Sequence, residues 1–220
     1  MNPMLISVEP SILYLGTPVV LISTLNEDGT VNVAPMSSAW WLGWNCMLGL
    51  GTGSQTSSNL LRERECVLNL PSEQMVGAVN KLARLTGKPA VSPWKQSVGY
   101  RYERDKLGVA GLSTCPSISV SAPRIDECPI QLEAVLETTR LFGNGPASTP
   151  GAYAFEVRVV HAHADQSILV PGKANHIDPD RWRPLIMSFC RFYGLGAELI
   201  PSTLAEISEE AYRPAEHMTR

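Results

Sequence analysis

The chain has 220 residues, 44% of them hydrophobic and 18% charged, with 17 Gly, 17 Pro and a formal net charge of −3. A chain of this length buries roughly 70% of its unfolded surface, enough for a core without disulfide or metal staples. This composition excludes a disordered tail, a collagen-like repeat and a coiled coil. Eighteen Lys and Arg against 21 Asp and Glu leave no basic excess for nucleic acid or an anionic membrane surface.

The first apolar run, Pro18 to Ile22, has strand length, far short of the about 20 residues that span a bilayer. Glu9 and Pro10 break the N-terminal segment before a signal-peptide core can form. Pro18 to Leu25 reads as a strand, Asn26-Glu-Asp-Gly29 as a turn, and Thr30 to Val33 as the returning strand of an antiparallel hairpin. Asn45 to Leu50 is a further strand. It leads through Gly51-Thr-Gly-Ser54 into a helix that starts near Thr56 and carries Leu60, Leu61 and Arg64. Cys66 to Leu70 is the next strand, and Ser72 caps a second helix with Met75, Val76, Val79 and Leu82 on one face.

Residues 84–105 show no period and read as a long excursion or lid, since loops of that length are commonly functional or mobile. Strand character returns at Ile130 to Glu137, with Ile130, Leu132, Ala134 and Leu136 on one face. The segment from Tyr153 places Phe155, Val157, Val159, His161 and His163 on a common face. Asp178 to Pro184 opens a predicted helix with Trp182, Leu185, Ile186, Phe189 and Tyr193 at helical spacing and Gly194 as its C-terminal cap. Hairpins outnumber crossover helices, so the predicted fold is mainly β, an antiparallel barrel with peripheral helices, in one domain over residues 1–220. Cys46, Cys66, Cys115, Cys128 and Cys190 are odd in number and never form C-x-x-C, which fits a reducing cytoplasm.

Two glycine motifs fail as nucleotide signatures. Gly49-Leu-Gly-Thr-Gly53 has Ser54 where the last glycine of G-x-G-x-x-G belongs, and Thr86-Gly87-Lys88 is followed by Pro89 where a P-loop needs Ser or Thr. The turn Gly51-Thr-Gly-Ser-Gln-Thr-Ser-Ser-Asn59 says more. It sets hydroxyls and amides at a helix entry, where free N–H groups and the dipole favour an anion. Ser54, Thr56, Ser57 and Asn59 could accept a phosphate monoester there, or the same residues could serve as a plain N-cap. Asn32-Val-Ala-Pro-Met-Ser-Ser-Ala-Trp-Trp41 passes small residues into paired indoles, which suits a flat ligand, a core or a subunit interface. Trp44 and Trp94 are assigned to core or interface, and Arg62 to Glu65 to a solvated helix end. His161, His163 and His176 could form a metal site of a hydrolase, although no carboxylate or Cys stands at a fixed spacing beside them. No Ser-His-acid or Cys-His signature is present, so no catalytic side chain is predicted.

Taken in order, Thr17 to Leu25, Asp28-Gly29, Val31-Asn-Val-Ala-Pro-Met-Ser37, Thr56-x-x-Asn59 and Cys66-Val-Leu-Asn-Leu-Pro-Ser72 resemble the flavin reductase-like, FMN-binding split-barrel family. The likeness continues at Asp105-Lys-Leu107, Ala110-Gly-Leu112, Cys128 to Glu133 and Asp178 to Leu185, and so covers about residues 12–200. It implies a six-stranded Greek-key barrel, FMN near a homodimer interface, and hydride exchange with NADH or NADPH. Carried over by residue, Asn32 and Pro35, Met36, Ser37, Ser38, Ala39 and Trp40 border the isoalloxazine. Ser54, Gln55, Thr56, Ser57 and Asn59 surround the phosphate, and Lys106 fills the place of a lysine that approaches the FMN. Members often carry His where this chain has Gly151-Ala-Tyr153. A module that carries or senses FMN without turnover is the alternative within the same resemblance.

Overall fold

The computed structural model describes residues 4–143 and 151–213. Val20–Leu25 (β1) and Val31–Met36 (β2) form the expected hairpin, with Gly29 at φ +78° in the turn, a conformation that excludes most side chains. Ala39–Leu42 (β3) and Asn45–Gly51 (β4) make a second hairpin, followed by the helix Gln55–Glu63 (α1) and Glu65–Leu70 (β5). Two 13-residue strands, Ile130–Phe142 (β6) and Ala152–Ala164 (β7), complete the sheet.

All seven strands pair antiparallel, in the order β2-β1-β5-β6-β7-β4-β3. Strands β2 and β3 are therefore the two edges, yet only Ser37 and Ser38 separate them in the chain. Three Cα steps reach at most about 11 Å. The sheet must consequently roll up until its edges meet at a seam that no ladder closes, which is a split barrel. Seven strands stand where six were expected.

Strand β1 is buried on both faces, which is why it reads as an unbroken apolar run rather than an alternation. Val20 and Ile22 enter the barrel core with Leu48, Leu50, Leu68, Phe155 and Val157. Val19 and Leu21 face a second core built with the helix Val76–Leu82 (α2), with Leu107 and Ala110 of the helix Lys106–Ala110 (α4), and with Leu185.

Four expectations are corrected. Residues 178–194 are not helical. Leu185–Ser188 (β8) and Arg191–Gly194 (β9) form a hairpin, and β8 also pairs with Thr17 and Pro18. Pro184 has no N–H and would break such a helix, and Phe189 and Cys190 take φ +45° and +60° as the two central turn residues. On β7 the register slips by one residue between Ala134↔Val159 and Glu133↔His161. That bulge turns His161 and His163 away from the face shared by Phe155 and Val157. Ser72 makes no side-chain cap; a 3-10 turn, Glu73–Met75, precedes α2 instead. The 84–105 excursion is ordered: Leu85–Thr86 pairs parallel with Arg101–Tyr102, and Pro93–Ser97 (α3) lies between them.

Candidate functional site

Helix α1 begins at Ser54, whose Oγ accepts from Ser57 N at 3.0 Å. The N–H groups of Gln55 and Thr56 belong to the first turn and have no acceptor within the helix. Thr56, Ser57 and Asn59 are buried against the barrel. Ser57 Oγ donates to Gly51 O at 2.9 Å, while Asn59 Nδ2 donates to Thr24 Oγ1 and Asn26 Oδ1, both at 3.0 Å. Both side chains are thus committed to holding the turn, and they lie beneath the predicted phosphate site rather than lining it.

Thr56 Oγ1 accepts from Asn32 Nδ2 at 3.1 Å, and Thr24 Oγ1 accepts from the same amide at 3.2 Å. Asn32 Oδ1 receives Lys106 Nζ at 2.7 Å, and Val33 O receives it at the same distance. Because an ammonium only donates, it fixes the amide orientation, so Asn32 must turn its NH₂ toward the two threonines. Lys106 is 4% exposed, and no carboxylate pairs with it among the described residues. Burial, with Lys95 nearby, pushes its ammonium down to about 8.

Gly87 closes this group from the excursion. A Cβ there would collide with Asn32 Oδ1 and lie 3.2 Å from the Gln55 side chain, so only glycine permits the approach. The result is a polar cavity of about 500 Å³ that brings together Asn32, Gln55 and Lys106 with Lys88, Tyr102 and Arg104. Its donors are a buried ammonium, a primary amide and a helix N-terminus, a set that suits a phosphate monoester.

Pro35 to Trp40 run away from this cavity to the seam. Ser37 O accepts from Thr17 Oγ1 at 2.6 Å, and Ser38 O accepts from Gly49 N at 2.8 Å. Ala39 points into the core, whereas Trp40 is 57% exposed and Pro35, Met36 and Ser37 are half-buried. Gly49 lets Ser38 lie flat on β4, since a Cβ there would come within 3.1 Å of Ser38 Cβ.

The histidines do not assemble. His163 Nε2 bonds Glu133 Oε1 at 2.7 Å and stacks on His161, while His176 stands 3.7 Å from Glu209. Among the described residues, no three His, Cys, Asp or Glu side chains come close enough to share a metal ion. A cavity of about 570 Å³ at the His163 end of β7 holds none of the predicted cofactor residues. Trp94 is 59% exposed, not core. Arg62 is no idle helix end, for its Nη2 donates to Leu25 O at 2.7 Å and its Nη1 lies 3.7 Å from Glu27. The cavity residues missed from sequence are Lys88, Tyr102 and Arg104. Their one trace was Thr86-Gly87-Lys88, set aside for lacking the hydroxyl of a P-loop.

Residues 13–194 match the family described as a flavin reductase like domain. A relative from Bacillus subtilis, the uncharacterized protein YdfE, is 41% identical over 192 residues, 87% of this chain and 90% of that protein. Among solved structures, the flavoredoxin of Desulfovibrio vulgaris superposes with TM-score 0.73 at 19% identity, covering 93% of this chain and all of that one. The NADH:FAD oxidoreductase SgcE6 of Streptomyces globisporus gives 0.60 at 14% identity, covering 89% and 100%. At those identities the structural likeness shows the fold alone.

Proposed function

Because the chain belongs to the flavin reductase-like family, a flavin-related oxidoreductase, we propose that it binds FMN, accepts hydride from NADH or NADPH, and delivers electrons to a flavin, a protein or a small oxidant. The observation that carries this reading is the meeting of Asn32, Gln55 and Lys106, from three separate segments, in one polar cavity beside the α1 N-terminus. Lys106 and the N–H groups of Gln55 and Thr56 hold the phosphate through charge-assisted hydrogen bonds, each worth about 1.5–3 kcal/mol. Asn32, itself held by Lys106, lies between that anchor and the seam. Backbone from Pro35 to Trp40 borders the ring, and Trp40 walls its edge. When bound, FMN supplies the two-electron chemistry that no side chain of the site provides. The protein contributes position, and no side-chain base is required.

The working unit proposed is a cytoplasmic homodimer. Trp40 and Leu42 of β3 are 57% and 76% exposed, an apolar edge that a second copy would cover. No helix among the described residues is long and apolar enough to cross a membrane.

Two measurements test the reading. Chromatography of the chromophore released from purified protein should identify FMN. Stopped-flow mixing with NADH or NADPH should bleach the flavin absorption within seconds. A colourless protein that takes up no FMN on titration defeats the cofactor assignment. A bound flavin that never bleaches leaves a carrier, not an enzyme.

A further inference from the structure

The charges around the 500 Å³ cavity do not balance. Each carboxylate that lines it is matched to an arginine: Glu27 to Arg62 at 3.7 Å, Asp28 to Arg104 at 3.0 Å, and Glu103 to Arg101 at 2.8 Å. The lysines are matched to nothing acidic among the described residues. Lys106 has only the two neutral oxygens already described. Lys88, on the loop after Gly87, lines the same cavity. Lys95, on α3, is half-buried with its Nζ 5.7 Å from the Tyr100 ring centre.

Lys88 and Lys106 thus line one cavity that offers neither of them a carboxylate partner among the described residues. Lys95 lies near enough to Lys106 to help lower its proton affinity, and Lys88 does the same to Lys95, each adding to the larger effect of burial. Gathering like charges at a half-buried place raises the free energy of the empty protein, and an anion between them recovers it. Lys88 comes from the excursion, whose order depends on the Leu85–Thr86 and Arg101–Tyr102 pairing and on α3.

We propose that Lys88 completes, with Lys106 and the α1 N-terminus, a site for a phosphate monoester dianion carried either by the flavin or by the nicotinamide donor. The proposal rests on the flavin reading for the identity of the nucleotide, and on the cavity alone for the anion. Phosphate fits this place better than a carboxylate because it brings close to two negative charges and three acceptor oxygens to three separate donors.

The test compares the wild type with the Lys88→Ala variant, its fold checked by thermal melting. If that variant does not fold, Lys88→Gln replaces it, since the Lys88 ammonium makes no bond to the described residues. FMN and riboflavin affinities are measured by titration calorimetry, and kcat/KM is measured with NADPH and with NADH. A loss of about 10-fold or more for FMN with riboflavin unchanged supports the site and assigns the anion to the flavin. The same loss for NADPH with NADH unchanged supports it and assigns the anion to the donor's extra phosphate. Equal shifts within both pairs, or no shift in either, overturn the proposal. Inorganic phosphate separates the two levels of the argument: a protein that binds no flavin, yet loses phosphate binding in the variant, breaks the flavin reading and keeps this one.

Discussion

Two buried charges in this barrel are treated in opposite ways. Glu133 of β6 has no exposed surface, and the fold supplies everything its carboxylate needs. Ile118 N and Ser119 N donate to it, His163 bonds it at 2.7 Å, and Arg124 stands 3.8 Å away. Burial alone would raise its pKa, but the two backbone N–H groups and His163 outweigh that and hold the carboxyl below its ordinary value. Lys106 is nearly as buried, yet it meets only two neutral oxygens, and burial, with Lys95 nearby, pushes its ammonium down to about 8. A charge that the fold completes is structural, for it pins the 116–122 loop to the sheet. A charge that the fold leaves short of a counter-ion is the place proposed here for the cofactor's phosphate.

The sharpest way to break this contrast is to remove each charge and read stability and binding separately. Glu133→Ala strands two N–H groups and a histidine, and it should lower unfolding free energy by about 3 kcal/mol in urea denaturation. The FMN affinity of the folded fraction should stay within about twofold. Should FMN binding collapse while stability holds, the two charges have been assigned the wrong way round. Lys106→Met is the converse case. It should weaken FMN about 100-fold by fluorescence titration, with a smaller loss of stability than at Glu133.

Thr56→Ala comes next. It removes one of the two acceptors for the Asn32 amide and a hydroxyl beside the free N–H groups, and FMN should weaken about 10- to 100-fold. Unchanged affinity would place the phosphate elsewhere.

The smallest effect is on pH. Lys106 titrates in the folded protein near 8 and in the unfolded chain near its ordinary 10.5, so the unfolded state holds more protons between them. The penalty from Lys106 is thus fully present below pH 8 and is relieved as pH rises toward 10.5. An anion needs the charged form, so FMN affinity should fall by up to about tenfold per pH unit above pH 8, until the bound-state pKa is passed. Riboflavin should show no such slope. Glu133 acts in the other window, since its stabilisation holds above the ordinary carboxylate pKa and is lost as pH falls through the lowered folded value.

Much of the barrel was legible because its strands obey short-range rules. The Asn26-Glu-Asp-Gly29 turn names its hairpin, and the two-faced burial of β1 leaves a continuous apolar run. The region around residues 178–194 was misread because Trp182, Leu185, Ile186, Phe189 and Tyr193 satisfy helical spacing. Pro184 and a turn through two left-handed residues decide against it, and that turn is selected by the pairing of β8 with β9 and with Thr17–Pro18. The histidine face was misread for a related reason, since a one-residue bulge reverses every side chain beyond it and leaves no mark in the composition.

The sequence by itself determined the family, the antiparallel β architecture and the inner residues of the proposed site, because Asn32, Gln55 and Lys106 lie in short motifs whose chemistry is local. Tertiary structure decided which side chains of those motifs line the cavity and which hold the turn, for burial and hydrogen-bond partners belong to the packed chain. It also decided that Lys88 and Arg104 line the same cavity as Asn32, Gln55 and Lys106. Their convergence depends on folding residues 84–105 back over α1, and electrostatic repulsion between lysines distant in the sequence exists only once the chain has brought them together.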